Sequence, residues 1–313
     1  MSEATQIFTR GTVVEGRPEQ QPNNRKWLET VGRWAFLAPV FILNLIVIVI
    51  PSIVGLGAAF TDWSGYNTPS FIGIANFTRL FQDPVFFKAL TNNLIWTALF
   101  LTIPIMIGLL GAYLLSTIKI GQMFFRVAFF VPYVIASVVN VQLWRQLLHP
   151  RVGIGAWLGD HGITVLDFPI FGTRATSLYG VAFVDAWHFW GFLVVIYLAA
   201  MSAVDTELYE VARLDGANRF QQFIYVTLPG IRPTLIFTVL MIIIWSATSF
   251  DYVYMLTAGG PANSSELMST YLYDHAFARF DAGYAAAIGM MMSLWVALAI
   301  AGFVILRRRG WDV

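Results

Sequence analysis

Asp185, His188, Phe189 and Phe192 fall at i, i+3, i+4 and i+7 in the run VAFVDAWHFWGFLVVIYLAAMSAV, so one helical stripe carries all four. An aspartate placed in hydrocarbon costs on the order of 3 kcal/mol, so Asp185 is expected to face a polar cavity or a partner. The alternative is pairing near the outer interface, with His188 or an arginine of a neighbouring helix. Tyr133 and Ser137 stand at i, i+4 beside Pro132, followed by Asn140 and Trp144. Ser246, Ser249 and Asp251 lie in the outer half of a later apolar run. Hydroxyls and carboxylates exchange hydrogen bonds with the hydroxyls of a polyol, and aromatic faces cover its C–H surfaces. No lysine or arginine stands within these runs, which suits an anionic solute poorly and leaves a cationic amino sugar open. Asp185 and Asp251 could also be read as the paired carboxylates of an intramembrane enzyme, but no nucleophile motif accompanies them.

A second chemistry-bearing stretch is EVARLDGANRFQQFIYVTLPGIRP, from Glu210 to Pro233. It is polar, yet it sits between two runs apolar enough for a membrane. Its pattern predicts two short helices. Asp205 or Thr206 caps the first, whose apolar positions are Leu208, Val211 and Ala212. Asp215-Gly216 stops it, because glycine tolerates the left-handed conformation of a helix end. Asn218 starts the second with Gln221 in capping-box register, and Phe220, Phe223 and Ile224 form its apolar stripe. Pro229 and Pro233 open the next element. A compact, capped hairpin on one face of a membrane protein offers a docking knob to something soluble; an ordinary amphipathic hairpin at the membrane surface is the alternative.

Several chemistries are excluded. There is no Gly-x-x-x-x-Gly-Lys-Ser/Thr loop, so the chain holds no ATP or magnesium of its own. With no cysteine there is no disulfide, thiolate nucleophile or Cys-based metal site. His149 and His161 are too far apart to suggest a metal site. A net charge of +1 argues against nucleic-acid binding.

The elements that position these residues are membrane helices. Of 313 residues, 58% are apolar and 12% charged, and the mean hydropathy is +0.67. Long apolar runs cover 34–61, 89–118, 127–144, 175–204, 233–250 (continuing to about Leu256) and 282–306, each near the roughly 20 residues a spanning helix needs. The expected fold is an all-α membrane protein with six transmembrane helices. Segments 1–33, 119–126, 205–232 and 307–313 hold 13 of the 19 lysines and arginines, which places both termini and the hairpin in the cytoplasm. The expected organisation is therefore a cytoplasmic tail (1–33), a transmembrane domain (34–306) and a second tail (307–313). The outer loops are 62–88, 149–174 and 258–281, and the cytoplasmic hairpin loop is 205–229. Pro132 is expected to bend the third span, and Gly259-Gly260-Pro261 to make a tight outer turn.

The hairpin resembles the EAA loop of permease subunits in bacterial ABC importers, whose pattern is Glu-Ala-Ala, three residues, Gly, nine residues, Ile-x-Leu-Pro. Glu210, Ala212, Gly216, Leu228 and Pro229 match in register, while Val211 and Val226 are mild departures. FIGIANFTRLFQDPVFFKAL resembles the outer loop of sugar-type permeases, and LTAGGPANSSELMSTYLYDHAFARFDAGYAAAIG resembles the maltose-permease-like (MalF-type) subunit. The resemblance runs from Trp34 to Arg309. It implies a plasma-membrane subunit that pairs with a second permease subunit. Two ATPase subunits carry ATP and Mg below, and an extracytoplasmic solute-binding protein delivers a sugar above. It implies that Glu210, Ala212, Asp215, Gly216, Ala217, Phe220, Phe223, Leu228 and Pro229 form the ATPase-coupling surface. It also implies a substrate pathway of Tyr133, Ser137, Asp185, His188, Phe192, Ser246, Ser249 and Asp251. An acid stands at 185 where an amide is familiar, and serines where asparagines are. A permease for a non-carbohydrate solute is the alternative within the same family.

Overall fold

The computed structural model describes residues 24–118, 120–163 and 168–308, and side chains from position 34 to 305. The expected tails lie for the most part outside the described residues. Two compact units divide the chain, 1–54 and 55–313. In the first, α1 (Asn24–Asn44) runs through one π turn (Leu45–Val49) into α2 (Ile50–Ala58), which leads into the second unit.

In the second unit a short helix α3 (Ala75–Gln82) precedes α4 (Pro84–Thr117). Asp83 caps α4, accepting from the amides of Val85 at 2.8 Å and Phe86 at 3.4 Å, and Pro84 takes the first turn, where its missing N–H costs nothing. At 34 residues α4 is about 50 Å long, more than the roughly 30 Å of hydrocarbon. Next come α5 (Gln122–Val134), α6 (Ser137–Leu147) and a small helix α7 (Ile154–Asp160), followed by α8 (Ser177–Ser202). The hairpin holds α9 (Thr206–Leu214) and α10 (Arg219–Gln222). A π turn (Phe223–Thr227) then leads to the one-turn α11 (Leu228–Gly230). The chain closes with α12 (Arg232–Thr248), α13 (Asp251–Leu256), α14 (Met268–Tyr273) and α15 (Ala282–Arg308). Among the described residues there is no strand, only an isolated bridge between Thr61 and Phe71.

Four helical stretches are long and apolar enough to cross a membrane: Trp34–Ala58, Pro84–Thr117, Ser177–Ser202 and Ala282–Ile305. The number is six if each of two bent pairs is one span, α5 with α6 at 96° and Arg219–Gly230 with α12 at 69°. The first bend departs from the expected single helix. The helix ends at Val134, two residues after Pro132, with Ile135 and Ala136 extended, and Ser137 opens a new helix. Tyr133 and Ser137 therefore do not share one helical face. The run expected to continue to Leu256 also breaks, at Ser249 and Phe250, where the Ser249 carbonyl turns aside to accept the Ser269 hydroxyl.

The core is the contact of α4 with α8. A Cβ on Gly108 would stand 2.7 Å from the Leu193 Cβ, and one on Gly111 would stand 2.8 Å from a Val194 methyl, so these two positions let the helices approach closely. Trp96, Leu193 and Tyr197 are fully buried there, and the Tyr197 hydroxyl meets that of Thr238 on α12 at 2.8 Å.

Candidate substrate pathway and docking hairpin

The last turn of α5 delivers Tyr133 against α8. Its ring stacks on Phe192 at 4.7 Å and lies 5.3 Å from His188, which in turn lies 5.7 Å from Tyr252 of α13. Trp245 of α12 extends this wall, 6.1 Å from Phe192 and 5.4 Å from Phe189. Behind Trp245 is a cavity of about 50 Å³ to which Asp185, Ser246 and Ser249 contribute, with Trp96, Phe100 and Phe189 as its aromatic lining. That is room for a water and far below the 300–1,000 Å³ of a ligand pocket, so this conformation is closed around the cavity.

Trp245 thus joins the ring of Phe192 to the cavity of Asp185, Ser246 and Ser249, and the candidate pathway residues are engaged differently. Asp185 makes no hydrogen bond or ion pair with the described residues, so the pairing with His188 or an arginine is not formed. Ser246 is turned toward α4: its hydroxyl meets that of Thr97 at 2.7 Å and donates to the Ile243 carbonyl at 3.0 Å. Ser137 donates to Asp251 at 3.3 Å. Two more bonds join the same helices, Asn140 to the Tyr252 hydroxyl at 3.0 Å and the Arg145 guanidinium to the Met255 carbonyl. Together they tie α6 to α13 as one outer flap.

At the other end of α8 the hairpin is built by local rules. Asp205 caps α9, accepting from the Glu207 amide at 3.0 Å. The Ala217 amide reaches back to the Ala212 carbonyl at 2.9 Å and the Gly216 amide to Arg213 at 3.1 Å, with Gly216 at φ +79°, a Schellman ending. Asn218 and Gln221 exchange both capping-box bonds, at 2.8 and 2.9 Å. Leu214 (88% exposed) and Phe220 (72% exposed) flank Gly216, with Glu210, Asp215 and Pro229 also exposed and Ala212, Ala217 and Leu228 half-buried. The expected stripe of Phe220, Phe223 and Ile224 divides. Phe223 turns inward and packs edge-on against Tyr113 of α4 at 4.9 Å, because the π turn that begins there swings the following residues off the Phe220 face.

Residues 161–310 match the family described as "Binding-protein-dependent transport system inner membrane component". A probable ABC transporter permease protein of Bacillus subtilis, YurN, is 34% identical over 86% of this chain and 92% of its own. The chain belongs to the ABC transporter permease family. The diacetylchitobiose uptake permease NgcF of Streptomyces coelicolor is also 34% identical, over 88% of this chain and 81% of its own. Among solved structures, a bacterial alginate ABC transporter in complex with its alginate pentasaccharide-bound periplasmic protein shares the fold. Its TM-score is 0.79 at 24% identity, covering 93% of this chain and 97% of that one. The family is one of inner membrane components.

The end of the permease opposite the hairpin is held by side chains that the sequence pattern did not single out. Asn93, fully buried in α4, donates to the Ser246 carbonyl and accepts from the Met268 amide, both at 2.8 Å. Asn92 donates to the carbonyls of Glu266 at 2.8 Å and Ser264 at 3.1 Å. Two amides in an apolar run are the only signal that could have pointed there. Beside them Asp83 accepts from the hydroxyls of Tyr271 at 2.5 Å and Tyr284 at 2.6 Å. Burial pushes the Asp83 carboxyl up, but these hydrogen bonds and its two backbone amides outweigh it and hold it below the usual value. Asp281 is also held low, by the His275 ring 3.6 Å away and by Arg79 at 2.6 Å, against partial burial.

Proposed function

We propose that this permease subunit forms, with a second permease subunit, the membrane pathway for a sugar. In this reading an extracytoplasmic solute-binding protein delivers the sugar, and two ATPase subunits carrying ATP and Mg drive its passage. Each bent pair is one span in this reading, giving six, and both termini and the hairpin are cytoplasmic; the lysine and arginine distribution supports that orientation. The observation that carries the sugar reading is the aromatic wall of Tyr133, Phe192 and Trp245, which adjoins through Trp245 a cavity lined by Asp185, Ser246, Ser249 and further aromatic rings, with no basic side chain among that lining. Such a surface covers C–H faces and exchanges hydrogen bonds with hydroxyls. The NgcF relative, named for diacetylchitobiose, agrees with it.

The mechanism follows from connectivity. Asp205 caps α9 three residues after α8 ends, and α11 leads directly into α12. The hairpin is thus attached to two of the three helices that wall the cavity, α8 and α12, and not to α4. When the ATPase pair closes, it moves the exposed face of Glu210, Gly216 and Phe220; α8 and α12 carry that movement to Asp185, Phe192 and Trp245. The closed cavity opens as they separate, with the outer flap of α6 and α13 moving as one body. Affinity purification of the tagged subunit from its own membranes, followed by ATP-dependent sugar uptake in proteoliposomes with the binding protein, tests the reading. Recovery without an ATPase, or ATP-driven uptake of an amino acid or peptide but no sugar, overturns it.

A further inference from the structure

A second, larger cavity of about 360 Å³ lies on the inner side of the hairpin, between it and the ends of α4 and α8. It belongs neither to the aromatic wall nor to the exposed docking face. Its groups sort into two kinds. The donors are the Arg219 guanidinium, which makes no ion pair or hydrogen bond with the described residues, and the Thr206 hydroxyl, likewise unengaged. The acceptors are the side-chain oxygens of Gln122 and Gln222, whose NH₂ groups each give one hydrogen to a backbone carbonyl, of Leu115 and Ala217, both at 2.9 Å. Ser202, which donates to the Leu198 carbonyl at 2.8 Å, adds the free lone pairs of its hydroxyl. The rings of Tyr113, Tyr209 and Phe223 supply apolar walls, and among the described residues no carboxylate lines the space.

We infer that this cavity binds a phosphate ester of a polyol. The guanidinium and the Thr206 hydroxyl take the phosphate, the two amide oxygens accept from the polyol hydroxyls, and the aromatic walls cover its carbons. The volume suits such a molecule and exceeds what bare phosphate would fill. Two sources share this chemistry: a free sugar phosphate or glycerol phosphate, and the headgroup of phosphatidylglycerol at the membrane edge. A bound ester would lie between Arg219 of the hairpin and the ends of both core helices, at the joint that transmits hairpin movement. It would therefore regulate coupling rather than be transported. Its cytoplasmic setting rests on the orientation proposed above, but binding itself does not.

The test uses the full-length chain in phosphatidylcholine nanodiscs, open on both faces, titrated calorimetrically with glucose 6-phosphate and glycerol 3-phosphate and, in parallel, with glucose and glycerol. The esters are expected to bind at least roughly tenfold more tightly than the neutral polyols, and Arg219→Gln to erase about that factor. Arg126→Gln, an arginine outside this cavity, is expected to leave it unchanged. In the lipid arm, native mass spectrometry counts phosphatidylglycerol retained after extraction from membranes. Retention by the native chain and loss in Arg219→Gln assigns the site to the headgroup; ester binding without retention assigns it to the free ester. Esters no better than neutral polyols together with no retained phosphatidylglycerol overturn the inference, as does an Arg219→Gln chain that binds like the native one. Should that variant fail to insert, the ester-against-polyol comparison on the native chain decides alone. Failure of the transport reading appears instead in co-purification and uptake, so the two are separable.

Discussion

The ring of Tyr133 stacks on that of Phe192, centroids 4.7 Å apart and planes 19° from parallel, across the contact of α5 with α8. Tyr133 closes a helix that ends one residue later, so the stack joins the bend of one span to the middle of another. Such a pair contributes about 0.5–1.5 kcal/mol beyond its burial, small against the stability of the whole chain. Tyr133→Ala is therefore expected to leave insertion and assembly intact while cutting ATP-driven sugar uptake roughly tenfold or more. Tyr133→Phe keeps the face and most of the uptake. Proteoliposome uptake normalised to assembled complex checks both.

Asp185 is an acid within a span, bordering a cavity and with no hydrogen-bond or ion-pair partner among the described residues. Its removal takes a hydrogen-bond acceptor from the pathway and leaves no buried group orphaned. Asp185→Ala is expected to lower substrate-dependent uptake with the complex still assembled, and Asp185→Asn to retain part of it, since an amide still meets hydroxyls. Uptake by the alanine variant equal to that of the native complex would remove Asp185 from the pathway.

At φ +79°, Gly216 occupies a conformation that costs other residues about 1–2 kcal/mol, yet nothing within the chain lies where its Cβ would be. The space it leaves is on the exposed face between Leu214 and Phe220. Gly216→Arg is expected to abolish uptake and loosen the ATPase while the subunit remains in the membrane. Quantitative pull-down of the ATPase by tagged permease measures this, and full coupling in the variant would refute the docking role.

What was legible in the sequence was local. The Asn218–Gln221 box, the Asp205 cap and the Gly216 stop depend on neighbours within a few positions, so residue type and spacing carry them. What was not legible was long-range. Asn93 joins Ser246 and Met268, more than 150 positions away, and in its own helix it reads only as a polar interruption. The bend after Pro132 was readable but its extent was not: a proline removes one hydrogen bond, whereas the 96° turn also requires Ile135 and Ala136 to go extended. The break at Ser249 has no breaker residue at all; it depends on Ser269, twenty positions on, taking the carbonyl.

That long-range role of Asn93 gives a stability prediction. Replacing it with alanine orphans the Met268 amide, at roughly 1–3 kcal/mol, and opens a small void beside it. Asn93→Ala is expected to lower the thermal midpoint of the purified subunit by several degrees. A midpoint unchanged in the alanine variant would show that the amide does not pin the outer loop.

The outer end also sets a pH response, and its sign follows from three carboxyls. Asp83 and Asp281 are held below the ordinary value of 3.8, so each contributes stability that is complete above that value. The contribution is lost as pH falls through the lowered folded value. Glu266 is the opposite case. Burial raises it from 4.5, aided by Asp274 and opposed by the Thr270 hydroxyl and Arg279. Its contribution is present below 4.5 and declines as pH rises through the folded value. Thermal unfolding of the subunit between pH 3 and 8 is thus expected to fall off on the acid side below about pH 4. Asp281→Asn lowers the midpoint at neutral pH and flattens that acid limb, because Arg79 loses its ionic partner at every pH. Glu266→Gln does the reverse: it raises the midpoint at neutral pH by removing a buried charge, and it leaves the acid limb in place. An acid limb unaltered in Asp281→Asn would mean that the strap from Tyr271 to Tyr284 is held by packing rather than by these charges.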